Sequence, residues 1–122
     1  MSEEFLKVAR QEIQEELDSL KEAFHACAND EQFYKKSKEI ERHMHKIKGL
    51  APMMGQENVG EIARMSDLIL KQVITQGMLR GSHDIILEAV QKMNHLFNED
   101  DSFEIDVFRK KIIDTYPEIT DF

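Results

Sequence analysis

Apolar residues recur every three or four positions along most of the chain, and this period constrains the fold more than any other feature. In the first stretch the repeating residues are Phe5, Ala9, Ile13, Leu17, Leu20 and Phe24. Such spacing places side chains on one face of an α-helix, whereas a strand would alternate with a period of two. The pattern predicts an amphipathic helix over residues 2–27. Strand alternation is not seen anywhere in the sequence, which favours an all-α protein.

Four further helices follow from the same reasoning. They are predicted over residues 31–54, 57–76, 82–97 and 102–116, the last being shorter. Breaks come at Asn29, Gly55 and Gly77, which are residues that begin or end helices, and at the acidic turn 98–101. Short links join neighbouring helices in an antiparallel sense. We therefore expect one domain over residues 1–122, an up-down antiparallel four-helix bundle with an additional shorter C-terminal helix.

Composition excludes several classes of partner. The net charge of −8 argues against binding to nucleic acid or to an anionic membrane, since both require a basic surface. No apolar run approaches the ~20 residues that span a bilayer, and the acidic N-terminus lacks the order of a secretion signal. The single cysteine, Cys27, suits a reducing compartment. We expect a cytoplasmic, monomeric protein.

The predicted second helix carries a short motif. It runs from His45 through Lys48-Gly49 and Ala51 to Gly55. This pattern resembles the histidine phosphotransfer (HPt) signature, H-x-x-K-G-x-[small]-x-x-x-G. Residues three and four positions apart on a helix are surface neighbours, so Lys48 and Gly49 flank His45. A phosphoryl group brings about two negative charges, which Lys48 can partly neutralise. Glycine at position 49 leaves room for another protein to approach the imidazole.

Helical phase distinguishes His45 from the nearby His43. The apolar stripe of this helix is formed by Phe33, Ile40, Met44, Ile47 and Ala51. At about 100° per residue, His45 lies roughly 130° from the centre of the stripe and His43 only about 70°. His45 is thus predicted to be exposed and His43 partly packed. The motif and the phase together make His45 the candidate phosphoryl acceptor.

The resemblance extends over roughly residues 3–98, which are most similar to the phosphotransfer domain of chemotaxis histidine kinases. The segments 75–81 and 84–89 are similar to that family's join between the third and fourth helices. The resemblance implies that His45 Nε2 takes a phosphoryl group from a histidine kinase catalytic domain. It then yields the group to an aspartate of a response-regulator receiver domain. It also implies a carrier without an ATP site of its own, and we predict no cofactor and no metal.

One departure from the family concerns the third helix. The family keeps a His and a Glu three apart near the phosphorylated histidine, and the matching positions here are Arg64 and Asp67. Asp67 keeps the carboxylate that would orient the imidazole, but with a shorter reach. Arg64 would add fixed positive charge. The simpler alternative for both is an exposed i,i+3 ion pair.

A docking face for the receiver is predicted around His45. By helical phase its members are Lys38, Glu41, Lys48, Gly49 and Pro52.

Three other functions compete with phosphotransfer. One is an HPt-like adaptor that binds kinase or receiver domains without being phosphorylated, and another is a purely structural helical adaptor. The third is a carboxylate-bridged di-metal bundle, which needs two Glu-x-x-His pairs. Only Glu22 and His25 match that spacing, and two ordinary surface residues are the simpler interpretation.

Overall fold

A computed structural model describes residues 2–99 and 105–119 of the protein. Its five helices are α1 (Glu3–His25), α2 (Asp30–Met53), α3 (Glu57–Gln76), α4 (Ser82–Glu99) and α5 (Ile105–Thr115). The described residues contain no strand, so the predicted all-α class and shorter C-terminal helix are confirmed. Helix ends differ from the predicted ones by a residue or two, as is usual where helices fray. The predicted first residues of the fifth helix, 102–104, lie outside the described residues.

Local sequence explains where α1 and α2 begin and end. The Ser2 hydroxyl accepts a hydrogen bond from the Phe5 N–H at 3.1 Å, and the Asn29 side chain accepts one from the Gln32 N–H at 2.9 Å. Each bond satisfies a backbone donor that has no partner inside the helix. Just beyond the end of α2, Gly55 has φ = 82°, a left-handed conformation that glycine adopts readily.

Helices α1 to α4 pack around one apolar core. Helix α2 packs most extensively against α3, α1 packs against α2 and α4, and α5 rests on α3. The connections span only residues 26–29, 54–56 and 77–81, so consecutive helices run antiparallel. The largest fully buried side chains include Ile13, Leu17, Phe33, Met44, Ile62 and Ile86. Each contributes about 1.5–3 kcal/mol of burial energy. None of the helices in the part described here is long and apolar enough to cross a membrane.

Helices α2 and α3 approach each other closely where Pro52 meets Gly60. A Cβ atom placed on Gly60 would lie 2.7 Å from Pro52 Cγ and 2.9 Å from Pro52 Cδ. Because the proline ring is rigid and tied to the backbone of α2, it cannot swing away as a flexible side chain would. Gly60 therefore allows the last turn of the motif helix to approach the first turn of α3.

We predict that Gly60→Ala destabilises the protein by about 1–3 kcal/mol, the usual cost of overpacking. Gly49→Ala is the matched control, because Gly49 is also helical and has nothing within 4 Å of its Cβ position. It should stabilise the protein by about 0.5–1 kcal/mol, since alanine is the better helix former. Urea unfolding followed by circular dichroism measures both. Equal or greater stability of Gly60→Ala would contradict the packing argument.

Candidate functional site

His45 and His43 lie on different sides of α2, as the helical phase predicts. The His45 side chain is 59% exposed, whereas that of His43 is 21% exposed. His43 Nδ1 hydrogen-bonds Glu16 of α1, so this histidine contributes to the contact between α1 and α2. His45 is the one available to another molecule.

The Nδ1 atom of His45 lies beside two carboxyl groups. Asp67 Oδ2, from α3, is 3.6 Å away, and Glu41 Oε2, one turn earlier on α2, is 3.8 Å away. Both separations exceed a hydrogen bond. For Asp67 the gap agrees with the shorter reach that the sequence predicts. With Nδ1 turned towards the carboxyl groups, Nε2 lies on the other side of the ring.

Two lysines bind the buried carboxylate of Asp67. Asp67 is only 1% exposed. Its Oδ2 lies 2.9 Å from Lys48 Nζ and 2.9 Å from Lys71 Nζ. Sequence reasoning identified Lys48 but missed Lys71, although it stands four residues after Asp67 on α3, where helical neighbours meet. The two ammonium groups provide the charge that allows Asp67 to stay ionised inside the protein.

The charges of Glu41 and Asp67 depend on each other. Burial alone would raise the pKa of Asp67, but hydrogen bonds from Glu41, Lys48 and Lys71 together lower it to about 2. The pKa of Glu41 is raised, first because a protonated Glu41 can donate to Asp67 and second because it is partly buried. When both groups are ionised, Glu41 Oε2 and Asp67 Oδ1 are buried acceptors without a donor. The sequence places Glu41 in the docking face but does not reveal this pairing.

Arg64 forms an ion pair with Glu61 rather than with Asp67. Its Nε donates to Glu61 Oε2 at 3.0 Å and its Nη2 to Glu61 Oε1 at 2.6 Å. Arg109 of α5 also donates to Glu61 Oε1, at 3.1 Å. The Arg64 guanidinium holds the pKa of Glu61 below its usual range. An exposed Arg64–Asp67 pair, the simpler alternative, does not fit because Asp67 is buried and its Oδ2 is held by lysines.

The predicted docking face is partly open. Lys38, Gly49 and Pro52 are exposed, whereas Glu41 and Lys48 are half-buried. Beside His45 and Gly49, a groove of about 620 Å³ runs between α1 and α2, with Glu12, Glu15 and Glu16 along its α1 side. Lys46 Nζ lies 3.3 Å from Glu16 Oε1, so it contacts α1. The face around His45 therefore has room for another molecule, and it carries both positively and negatively charged side chains.

The described residues bring together one group of side chains that can act as metal ligands. These are Glu41, His45 and Asp67, with a ligand atom from each lying within 4.8 Å of the others. Glu22 and His25, which prompted the di-metal alternative, are both exposed on α1. A di-metal centre inside a bundle needs inward-facing ligands, and these two residues do not provide them.

Comparison with known protein families identifies the class of protein. The family model "Hpt domain" matches residues 4–99, and the chain belongs to this family. Comparison with curated proteins and with solved structures gave no significant match. Hpt domains are phosphocarrier modules of phosphorelay systems, without an ATP site of their own, and they interact with kinases and receiver domains.

Proposed function

We propose that His45 is the phosphoryl acceptor of this Hpt domain. It would take the group from a histidine kinase catalytic domain and pass it to an aspartate of a response-regulator receiver, in a chemotaxis-like or related phosphorelay. The observation that carries the proposal is an exposed imidazole whose Nδ1 faces a buried, ionised carboxylate. This arrangement directs the other ring nitrogen away from the protein.

The chemistry follows from the two ring nitrogens. A neutral imidazole has one N–H and one lone pair, and a carboxylate that accepts from Nδ1–H fixes the tautomer with the lone pair on Nε2. The 3.6 Å separation from Asp67 Oδ2 has to shorten to a hydrogen bond, and catalytic hydrogen bonds often tighten only in the complex. Nε2 would then attack the donor's phosphorus in line, so that the N–P bond forms while the bond from phosphorus to the donor's leaving group breaks. The Nδ1 proton stays on the ring, and the donor would supply most of the catalytic groups.

Positive charge near the imidazole supports the phosphorylated state. Lys48 stands one turn from His45 and holds Asp67 from α2, while Lys71 holds it from α3. A phosphoryl group adds about two negative charges beside the carboxylate of Asp67. Both lysines lie close enough to Asp67 to offset its charge in that state. Arg64 stays a secondary candidate, since its guanidinium is bound to Glu61.

The receiver is proposed to dock on the face that bears His45. Its members are Lys38, Glu41, Lys48, Gly49 and Pro52. The exposure of Gly49, with no atom near its Cβ position, supports this because a receiver must bring its aspartate close to the imidazole. A monomeric, cytoplasmic protein remains our expectation from the sequence. The alternative is an adaptor that binds the same domains without being phosphorylated, and labelling of His45 distinguishes the two.

His45→Gln should abolish phosphorylation, because glutamine has no nucleophilic ring nitrogen. His43→Gln is the matched control and should keep most labelling, since His43 contacts Glu16 on another side of α2. The measurement is labelling by a kinase and by phosphoramidate, a small phosphodonor. The product should be acid-labile and base-stable, as expected of a phosphoramidate bond. Undiminished labelling of His45→Gln would refute the assignment.

Asp67→Asn should slow labelling of His45 by about tenfold or more, the loss typical when a group that orients a histidine is removed. An amide can donate to Nδ1 and so favour the wrong tautomer. Asp67→Glu keeps the carboxylate with a longer reach and should label at least as fast as wild type. Circular dichroism checks that both variants fold. An unchanged rate in Asp67→Asn would leave this carboxylate with a structural role only.

Gly49→Leu should keep the helical content, because leucine is a good helix former, yet lose most transfer to the receiver. A side chain at position 49 projects beside the imidazole, and a misplacement of about 1 Å can cost about 100-fold in rate. Phosphoramidate needs less clearance and should still label His45 in this variant. Comparing the two rates separates blocked docking from damaged chemistry. Transfer to the receiver at the wild-type rate would rule out the steric role of Gly49.

A further inference from the structure

Two buried oxygen atoms beside His45 have no hydrogen-bond partner. They are Glu41 Oε2 and Asp67 Oδ1. Buried polar atoms in folded proteins nearly always have a partner. A proton shared between the two carboxyl groups would satisfy both oxygens, and a cation bound between them would do the same. The phosphotransfer chemistry described above uses Asp67 through Oδ2 and gives no role to the Glu41 carboxylate.

The two carboxyl groups and the imidazole have the spacing of a metal site. Glu41 and His45 stand one turn apart on α2, and Asp67 reaches them from α3. His45 Nδ1 is 3.8 Å from Glu41 Oε2 and 3.6 Å from Asp67 Oδ2. In a tetrahedral zinc site with bonds of about 2.0–2.2 Å, neighbouring ligand atoms lie about 3.3–3.6 Å apart. The His45 nitrogen is thus within a few tenths of an ångström of the required separations. A ligand atom from each of the three side chains lies within 4.8 Å of the others, so the two carboxyl groups would have to move closer together around an ion.

We propose that Glu41, His45 and Asp67 form a binding site for a divalent transition-metal ion such as Zn²⁺. The imidazole contributes Nδ1 and each carboxylate contributes one oxygen, which leaves a fourth position for water. An imidazole among the ligands favours zinc and its neighbours in the series over Mg²⁺, which prefers oxygen ligands in octahedral geometry. The side chain most deeply placed in the site is Asp67, at 1% exposure.

The charges of Lys48 and Lys71 lower the affinity of this site for a metal ion. Lys48 and Lys71 together balance the charges of the two carboxylates, so the site has no net negative charge to attract a cation. Both lysines contact Oδ2 of Asp67, so an ion has to displace a lysine from Oδ2 or bind Oδ1, which has no hydrogen-bond partner. The Lys71 side chain is 51% exposed, and its ammonium group can withdraw into water when the ion enters. The expected site is thus a reversible one, weaker than a structural zinc centre.

A metal ion on Nδ1 would block phosphorylation, a consequence that rests on the function proposed above. Neutral imidazole has a single proton and a single lone pair. When the lone pair of Nδ1 binds the metal, the proton resides on Nε2, and Nε2 then has no lone pair with which to attack phosphorus. No proton is gained or lost in this change of tautomer. The metal ion would therefore inhibit phosphorylation, because it takes the place of the Nδ1 proton that faces the carboxylates.

Calorimetric titration of the metal-free protein with ZnCl₂ tests the site directly. Wild type should bind one ion per chain, with a change in the ¹⁵N shift of His45 Nδ1 and with no competition from excess Mg²⁺. Glu41→Gln should bind at least about tenfold more weakly, since losing a ligand costs no less than losing a supporting contact. The matched control is Glu39→Gln on the same helix, because Glu39 contacts Lys36 at the surface. The affinity of this variant for Zn²⁺ should equal that of wild type.

Lys71→Gln should bind Zn²⁺ more tightly than wild type, because it removes a positive charge that opposes the ion.

Labelling by phosphoramidate tests the effect of the metal without a kinase or ATP. For each protein the readout is the ratio of the His45 labelling rates with and without Zn²⁺. Wild type and Glu39→Gln should be slowed by Zn²⁺, and Glu41→Gln should be slowed much less. Absence of saturable Zn²⁺ binding, or equal affinity in wild type and Glu41→Gln, overturns the proposal. Failure of His45 to be labelled without metal would refute the phosphotransfer role instead, and the titration would still decide the metal site.

Discussion

The structure depends on one buried charge, the carboxylate of Asp67. An ionised carboxylate is costly to remove from water unless it is paired and hydrogen-bonded. Here one partner comes from each of two helices, Lys48 from α2 and Lys71 from α3. The same carboxylate faces His45. A single group therefore joins the two most extensively packed helices and sets the surroundings of the imidazole, so the chemistry of the site and the packing of α2 on α3 cannot vary independently.

Much of the fold could be predicted because it follows from local rules. The apolar stripes mark the buried faces of the helices, and Asn29, Gly55 and Gly77 lie at helix ends for reasons of hydrogen bonding and backbone conformation. Helical phase was also sufficient to separate His45 from His43, because the exposure of a residue on a helix follows largely from its angle to the apolar stripe. The HPt signature then identified the family, which the match over residues 4–99 confirms.

The cross-helix contacts of the site could not be predicted in the same way. They depend on how far one helix slides along another and on which rotamer each long side chain adopts. Arg64 stands three residues from both Glu61 and Asp67, so the sequence permits either pairing; in the structure Glu61, which also receives Arg109 of α5, is its partner. The proximity of Glu41 to Asp67 likewise becomes apparent only once α2 and α3 are in register. The pairing of Lys71 with Asp67, by contrast, lies within α3 and follows its i,i+4 spacing.

The contact between Pro52 and Gly60 has a consequence for how this sequence can change. Whether alanine is acceptable at position 60 depends on the ring at position 52, which would lie under 3 Å from the new Cβ. The same substitution thus has opposite effects in two backgrounds, which is sign epistasis. An evolutionary path that replaces Pro52 first can then accept a side chain at position 60, whereas the reverse order passes through a strained intermediate. The order of mutations at the end of the motif helix is therefore restricted by packing alone.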